Sequence, residues 1–274
     1  MVNLQKKALE IRKDVLEMIF HAKTGHTGSD LSCTDILVTL YYDVMNIDAN
    51  QPDDPNRDRY IQSKGHAAEV YWAVLADKGF LEKEELKTFS AYGSRLIGHP
   101  NNKVAGVEMN TGSLGHGLPI ATGMALAAKK NQKHYRTFTL LGDGELAEGS
   151  VWEGAMAAAH YQLDQLTAII DRNGLQISGA SEDVMRVEPL ADKWRAFGWH
   201  VLEVDGNDIS ALSEALHQQP VTGKPTCIIA HTVKGKGISL AENQAGWHHR
   251  VPNQVEFDQA IAELEAQLEV LDHE

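Results

Sequence analysis

Two short apolar runs of β type, Thr137–Leu141 and Leu166–Ile170, each end in a turn rich in glycine and acid. Gly142-Asp143-Gly144 follows the first and Asp171-Arg172-Asn173-Gly174 the second. Between the runs, residues 148–161 carry an alanine-rich helical pattern. Strands joined through a helix cannot form a hairpin; they lie parallel, buried under the crossover. Further runs at Trp199–Val204 and Thr226–Ala230, with a helical stretch Ser210–His217 between them, extend the alternation. The expected fold class is α/β, a parallel sheet covered by helices on both faces. Consecutive strand ends of such a sheet share the edge where open α/β folds bind ligands. Asp143 and Asn173 are therefore expected at one point, although 28 residues separate Gly144 from Asn173.

A carboxylate, an amide oxygen and a neighbouring backbone carbonyl make a hard oxygen set suited to Mg²⁺ or Ca²⁺, completed by water and phosphate oxygens. Gly142 and Gly144 allow the backbone to approach a phosphate closely. A helix starting near Glu148 is expected to aim its N–H groups at the same anion. Alone, the tripeptide would read as a strand–helix turn with an aspartate cap; its strand–helix–strand setting and Asn173 favour a binding site. The turn Lys234-Gly235-Lys236-Gly237 does not match a P-loop, and no strict G-x-G-x-x-G occurs.

Elsewhere, Leu4, Ala8, Ile11, Val15 and Met18 recur at helical spacing. Thr24–Asp30 reads as a glycine-containing loop, Leu31–Met45 as helix, Asn46–Arg59 as loop, and Ser63-Lys64-Gly65-His66 as the opening of a helix over Ala67–Lys78. Gly93–Gly117 is glycine-rich and aperiodic, the mark of a long functional loop. Phe257, Ile261, Leu264, Leu268 and Leu271 make residues 253–274 an amphipathic helix that must dock on its own domain or on a partner. The reading is one domain over 1–274. With 25 basic and 38 acidic residues the net charge is −13, which argues against nucleic acid or an anionic membrane as partner. No apolar window approaches a membrane span and no signal core opens the chain, so a cytoplasmic location is expected. Cys33 and Cys227 form no CxxC pattern, which leaves no disulfide framework or cysteine zinc site.

Four of the thirteen histidines, His26, His66, His99 and His248, sit in glycine-flanked loops rather than on helix faces. Loops at a sheet edge concentrate binding groups, and imidazole gives or accepts a proton near neutrality.

Taken together, Gly142-Asp-Gly-Glu-Leu-Ala-Glu-Gly149, Asp171-Arg-Asn-Gly-Leu-Gln-Ile177, Gly25-His26, Ser63-Lys-Gly-His-Ala67, Gly98-His99-Pro100 and Trp247-His248 resemble the diphosphate-binding domain of transketolase. The resemblance runs nearly the whole chain and implies thiamine diphosphate as cofactor. It implies that Asp143, the Asn173 side chain and the Leu175 carbonyl hold Mg²⁺ or Ca²⁺ against the diphosphate. Gly142, Gly144, Glu148 and His66 would belong to the cofactor site, and Glu148 and Glu153 match acidic positions near the interface between two active sites. Thr111-Gly112-Ser113-Leu114-Gly115 resembles the loop over the aminopyrimidine and diphosphate, which makes Gly112 and Leu114 candidates. His26, His99 and His248 would line the sugar channel and handle hydroxyl protons.

The chain departs from the family pattern at Thr27, where proline is usual, at Asp30, at Glu69, where small or apolar residues are usual, at His116 and at His249. Extra carboxylates and imidazoles near the channel would retune substrate choice. In the family a second, pyrimidine domain supplies a glutamate to the aminopyrimidine ring, and the length here matches the first domain only. The resemblance thus implies the N-terminal subunit of a split transketolase. Two such chains, associating through the diphosphate domain, would join two C-terminal pyrimidine-domain subunits in a heterotetramer and pass a two-carbon ketol unit between sugars or sugar phosphates. The alternatives are a deoxyxylulose-phosphate synthase-like or dehydrogenase-like subunit, a non-catalytic regulatory homologue, and a plain nucleotide-binding protein.

Overall fold

The computed structural model describes residues 2–273. The strands are β1 (Arg59–Gln62), β2 (Thr137–Gly142), β3 (Leu166–Arg172), β4 (Leu175–Gln176), β5 (Gly179–Ala180), β6 (His200–Asp205) and β7 (Thr226–His231). Five of them form a wholly parallel sheet in the order β1-β2-β3-β7-β6, while β4 and β5 make a small antiparallel ribbon beyond the end of β3. The α/β expectation holds. Register sets Gly142 opposite Asp171, so the two glycine–acid turns leave the sheet side by side.

The helices are α1 (Leu4–Ala22), α2 (Thr27–Thr39), α3 (Ala68–Asp77), α4 (Gly117–Lys130), α5 (Gly149–His160), α6 (Ser181–Val184), α7 (Leu190–Ala196), α8 (Ile209–His217) and α9 (Gln254–His273). Strand side chains alternate between two cores. Phe138, Leu140, Ile169 and Ile228 join the core built with α1, α2, α3 and α8. Leu141, Ala168, Ile170 and Ile229 join the core built with α4, α5 and α7. Every residue of α2 is buried, so this helix has no solvent face at all. Buried Arg12 of α1 forks onto Asp35 of α2 at 2.9 and 2.8 Å, which keeps a charge in the interior paired. The apolar stripe of α9 docks within the chain: Phe257 stacks on Phe20 at 4.2 Å between ring centroids, and Leu264 is buried.

Several elements differ from the expectation, and β4, β5, α6 and α7 go unread altogether. β1 goes unread between the expected Asn46–Arg59 loop and the helix opening at Ser63, because Arg59 and Gln62 mask an edge strand of only four residues. α4 goes unread behind Pro119 and Gly123. α2 begins at Thr27, which shortens the expected Thr24–Asp30 loop; burial overrides the weak helix propensity of Thr-Gly-Ser. A π-helical turn over Leu40–Val44 then closes the second predicted helix.

Candidate functional site

A cavity of about 400 Å³ opens at the carboxyl edge of the sheet, over the ends of β2 and β3. Of the sequence-predicted residues, His26, His66, Gly112, Leu114, Gly142, Asp143, Gly144, Asn173, Leu175 and His248 line it. The size falls within the usual range for small-ligand sites.

Asp143 closes β2 and is buried. Its Oδ2 accepts from the Arg172 guanidinium at 2.7 Å, the Gly174 N–H at 2.8 Å and the Ser181 hydroxyl at 3.0 Å. Its Oδ1 accepts only from the Gly144 N–H, at 2.8 Å. The Asn173 amide donates to Ser32 Oγ and Asp171 Oδ2 at 3.2 and 3.3 Å, and its Oδ1 accepts the Leu175 N–H at 3.1 Å. These bonds fix which end of the amide is oxygen. The Leu175 carbonyl accepts from Lys234 Nζ at 3.2 Å.

Two lysines in the lining, Lys64 and Lys234, are each 1% exposed. Lysine is almost never buried without a partner. Lys64 pairs with fully buried Asp171 and donates to the Ser29 carbonyl at 3.0 Å. Burial alone would lower its pKa, but the Asp171 carboxylate outweighs that and raises it. Ser32 and Thr232 also donate to Asp171. Lys234 has no carboxylate partner, and burial with the charge of Lys64 lowers its pKa to about 8. Sequence reading missed both residues; the available signal was a lysine inside each glycine-containing motif. Glu145 also lines the cavity. It accepts from the Gly115 and Gly142 N–H groups at 2.8 and 3.1 Å and from the Ser63 hydroxyl, stitching three loops together.

The histidines gather at one end. His26 lies 5.3 Å from His66, 6.4 Å from His99, 5.7 Å from His248 and 4.5 Å from His249, ring centroid to centroid. Burial, then the charge of His249 and His99, lowers the pKa of His26 to about 4, and burial with Lys234 lowers that of His248 to about 3. Burial also lowers His66 and His99. His26, His66 and His248 are therefore neutral at pH 7. Lys234 Nζ meets His248 Nδ1 at 2.8 Å; an ammonium only donates, so the proton of this imidazole is on Nε2. His99 is half-buried outside the lining, and a Cβ on Gly112 (φ 136°) would come within 2.7 Å of its ring.

Glu148 is not in the lining. A 3₁₀ turn, Gly144–Ala147, intervenes, so Glu148 is exposed as the N-cap of α5, and the start of α5 stands away from the cavity. The expected aim of that helix at an anion is thus not realised. Glu153 is exposed too, and His116 is exposed at the start of α4. Thr27, Asp30 and Glu69 are buried behind the wall rather than set in it.

Residues 4–265 match the family described as transketolase, thiamine diphosphate binding domain. The chain is 45% identical to a subunit of the apulose-4-phosphate transketolase of Phocaeicola vulgatus, covering 99% of both. It is 41% identical to a 6-deoxy-6-sulfo-D-fructose transketolase subunit of a Clostridium species, covering 96% of this chain and 97% of that one. A transketolase from Pichia stipitis superposes with a TM-score of 0.90 at 31% identity; the match covers 97% of this chain but only 41% of that longer one. On the domain match and on relatives of its own length, this chain belongs to the family of transketolase thiamine-diphosphate-binding domains, in the form that stands as the N-terminal subunit of a split enzyme.

Proposed function

We propose that the chain, as a single diphosphate-binding domain, carries out thiamine-diphosphate-dependent ketol transfer together with a separate pyrimidine-domain subunit. The observation that carries the reading is one cavity lined by oxygen ligands, two buried lysines and neutral imidazoles, with Lys234 touching both the Leu175 carbonyl and His248. The donor set fits the implied groups. Asp143 Oδ1 keeps acceptor capacity, as do Asn173 Oδ1 and the Leu175 carbonyl, which make one charged and two neutral hard oxygens for Mg²⁺ or Ca²⁺. Among the described residues no group of three His, Cys, Asp or Glu makes a metal site, so a metal here depends on those neutral oxygens and on the ligand's own. Buried Gln176 Nε2 has no partner and lines the same cavity, a donor left for an incoming acceptor.

Thiamine diphosphate, when bound, supplies the nucleophilic carbon and electron sink that cleavage of a ketose beside its carbonyl requires. Lys64, Lys234 and His66 flank its anionic end, with Gly142 and Gly144 presenting bare backbone and Gly112 and Leu114 covering it. His248, with its proton on Nε2, donates to a substrate oxygen. His26 and His99 hold or accept protons at substrate hydroxyls, for which imidazoles that stay neutral are suited. The relatives' names join ketoses bearing phosphate or sulfonate, which supports an anion-terminated sugar as the substrate class. A heterotetramer, two of each subunit in the cytoplasm, completes the proposal. The test is turnover of xylulose 5-phosphate and ribose 5-phosphate by the isolated chain and after addition of the partner. Activity only in the mixture supports the split enzyme; full turnover by the chain alone overturns it.

A further inference from the structure

Two of the residues that depart from the family pattern face each other in the interior. Asp30 in the first turn of α2 and Glu69 in the first turn of α3 are both 0% exposed. Glu69 Oε1 accepts the His26 backbone N–H at 3.2 Å, and Asp30 Oδ1 accepts the Val70 N–H at 3.0 Å. The second oxygens, Asp30 Oδ2 and Glu69 Oε2, are buried and accept from no donor among the described residues. Two ionised carboxylates at such a spot would each leave one oxygen without a donor and would repel in a low dielectric. One proton held between them would remove both penalties. Burial pushes both acids upward, in the sense this sharing requires. The remaining negative charge rests at the starts of two helices, where dipoles favour it, with Lys64 nearby. Gly25 (φ 150°) keeps the contact open, since a Cβ there would come within 2.7 Å of Glu69 Oε1 and 2.5 Å of Ile19.

We propose that Asp30 and Glu69 form a positioning pair, joined by one shared proton, in which Glu69 holds the His26 backbone and so aims its ring at the substrate. The proposal rests on reading His26 as a substrate-side group. The pair links α2 to α3 directly behind the imidazole cluster, so the seat of His26 follows from an acid pair rather than from a proline at position 27.

The test is steady-state turnover by the complex of this chain and its pyrimidine-domain partner, with xylulose 5-phosphate and ribose 5-phosphate as probes, plus an NMR spectrum of the ¹⁵N-labelled chain. Glu69→Ala is expected to lower kcat at least tenfold while KM for thiamine diphosphate stays within twofold. Glu69→Gln, which keeps an acceptor for His26 and a donor for Asp30, is expected within threefold of the unaltered enzyme. The His26 amide proton is expected to move upfield in Glu69→Gln, where a neutral amide replaces the carboxylate, and to stay in place in Asp30→Asn. Equal damage in Glu69→Gln and Glu69→Ala, loss of cofactor affinity in step with kcat, or an unmoved amide proton in Glu69→Gln would each overturn the pair. Full turnover by His26→Ala would instead overturn the role of His26 itself, whatever the NMR shows.

Discussion

Asp143 divides its two oxygens unequally: Arg172, Gly174 and Ser181 crowd one, while the other meets only the neighbouring N–H. Asp143→Asn removes the charge that Arg172 and a divalent metal would both require. Thiamine diphosphate affinity in Mg²⁺, read by calorimetry, is expected to fall at least tenfold, at a cost in stability of roughly 1–3 kcal/mol; unchanged affinity would remove Asp143 from the metal site. His26 has a pH signature of its own. The unfolded side chain binds a proton near 6.5, whereas the folded one refuses it until about 4. Across that window the unfolded state holds more protons, so this residue makes stability rise with pH. The buried acid pair Asp30–Glu69, pushed upward by burial, acts in the opposite sense as the pH rises above the ordinary carboxylate range. His26→Gln is therefore expected to melt with less loss on acidification from pH 6.5 to 4 than the unaltered chain, by calorimetry of both; parallel melting curves would show that the imidazole is not held neutral. Asp143, Asn173 and the four histidines were legible in the sequence because turn residues and loop histidines announce themselves. Lys64 and Lys234 were not, because in a bare sequence a lysine reads as surface, and only folding shows what surrounds it.

Legibility among the elements followed length and burial. β2 and β3 read clearly because strands covered on both faces are largely apolar or β-branched up to their last residues. β1, at the sheet edge, carries polar residues, and α4 hides behind a proline and glycines, so neither shows a period. The pattern of α9 was visible, but its destination was not: amphipathicity states that a face must be covered and not by what. The answer is α1, through the Phe20–Phe257 stack, with ion pairs Lys6–Asp272 and Lys13–Glu265 at 2.6 Å along the flank. Those pairs are solvent-exposed at their acidic ends and contribute little. Buried Leu264 should dominate, and Leu264→Ala is expected to destabilise the chain by about 2–5 kcal/mol in urea unfolding. A change below about 1 kcal/mol would mean that α9 is not docked in solution.

At the scale of the whole molecule, a chain of net charge −13 gathers two buried lysines at a single cavity. Global acidity and local positive charge coexist because the helices keep most acids on the outside, while Asp171 alone neutralises Lys64 within. Residues far apart in sequence, from His26 to His248, meet there, so no fragment shorter than the sheet and its covering helices would assemble the cavity. A helix with no solvent face also sets a clock. The amides of α2 cannot exchange by fraying outward; they are released only when the core opens, and in deuterium exchange they should be among the last to label. The Gly93–Gly117 stretch, which carries His99, Gly112 and Leu114 with little regular structure before α4, should label orders of magnitude sooner. The two walls that face the ligand would then live on different timescales. His26 stands on the side that persists for as long as the fold does, and the cover opposite it opens and closes many times within that lifetime.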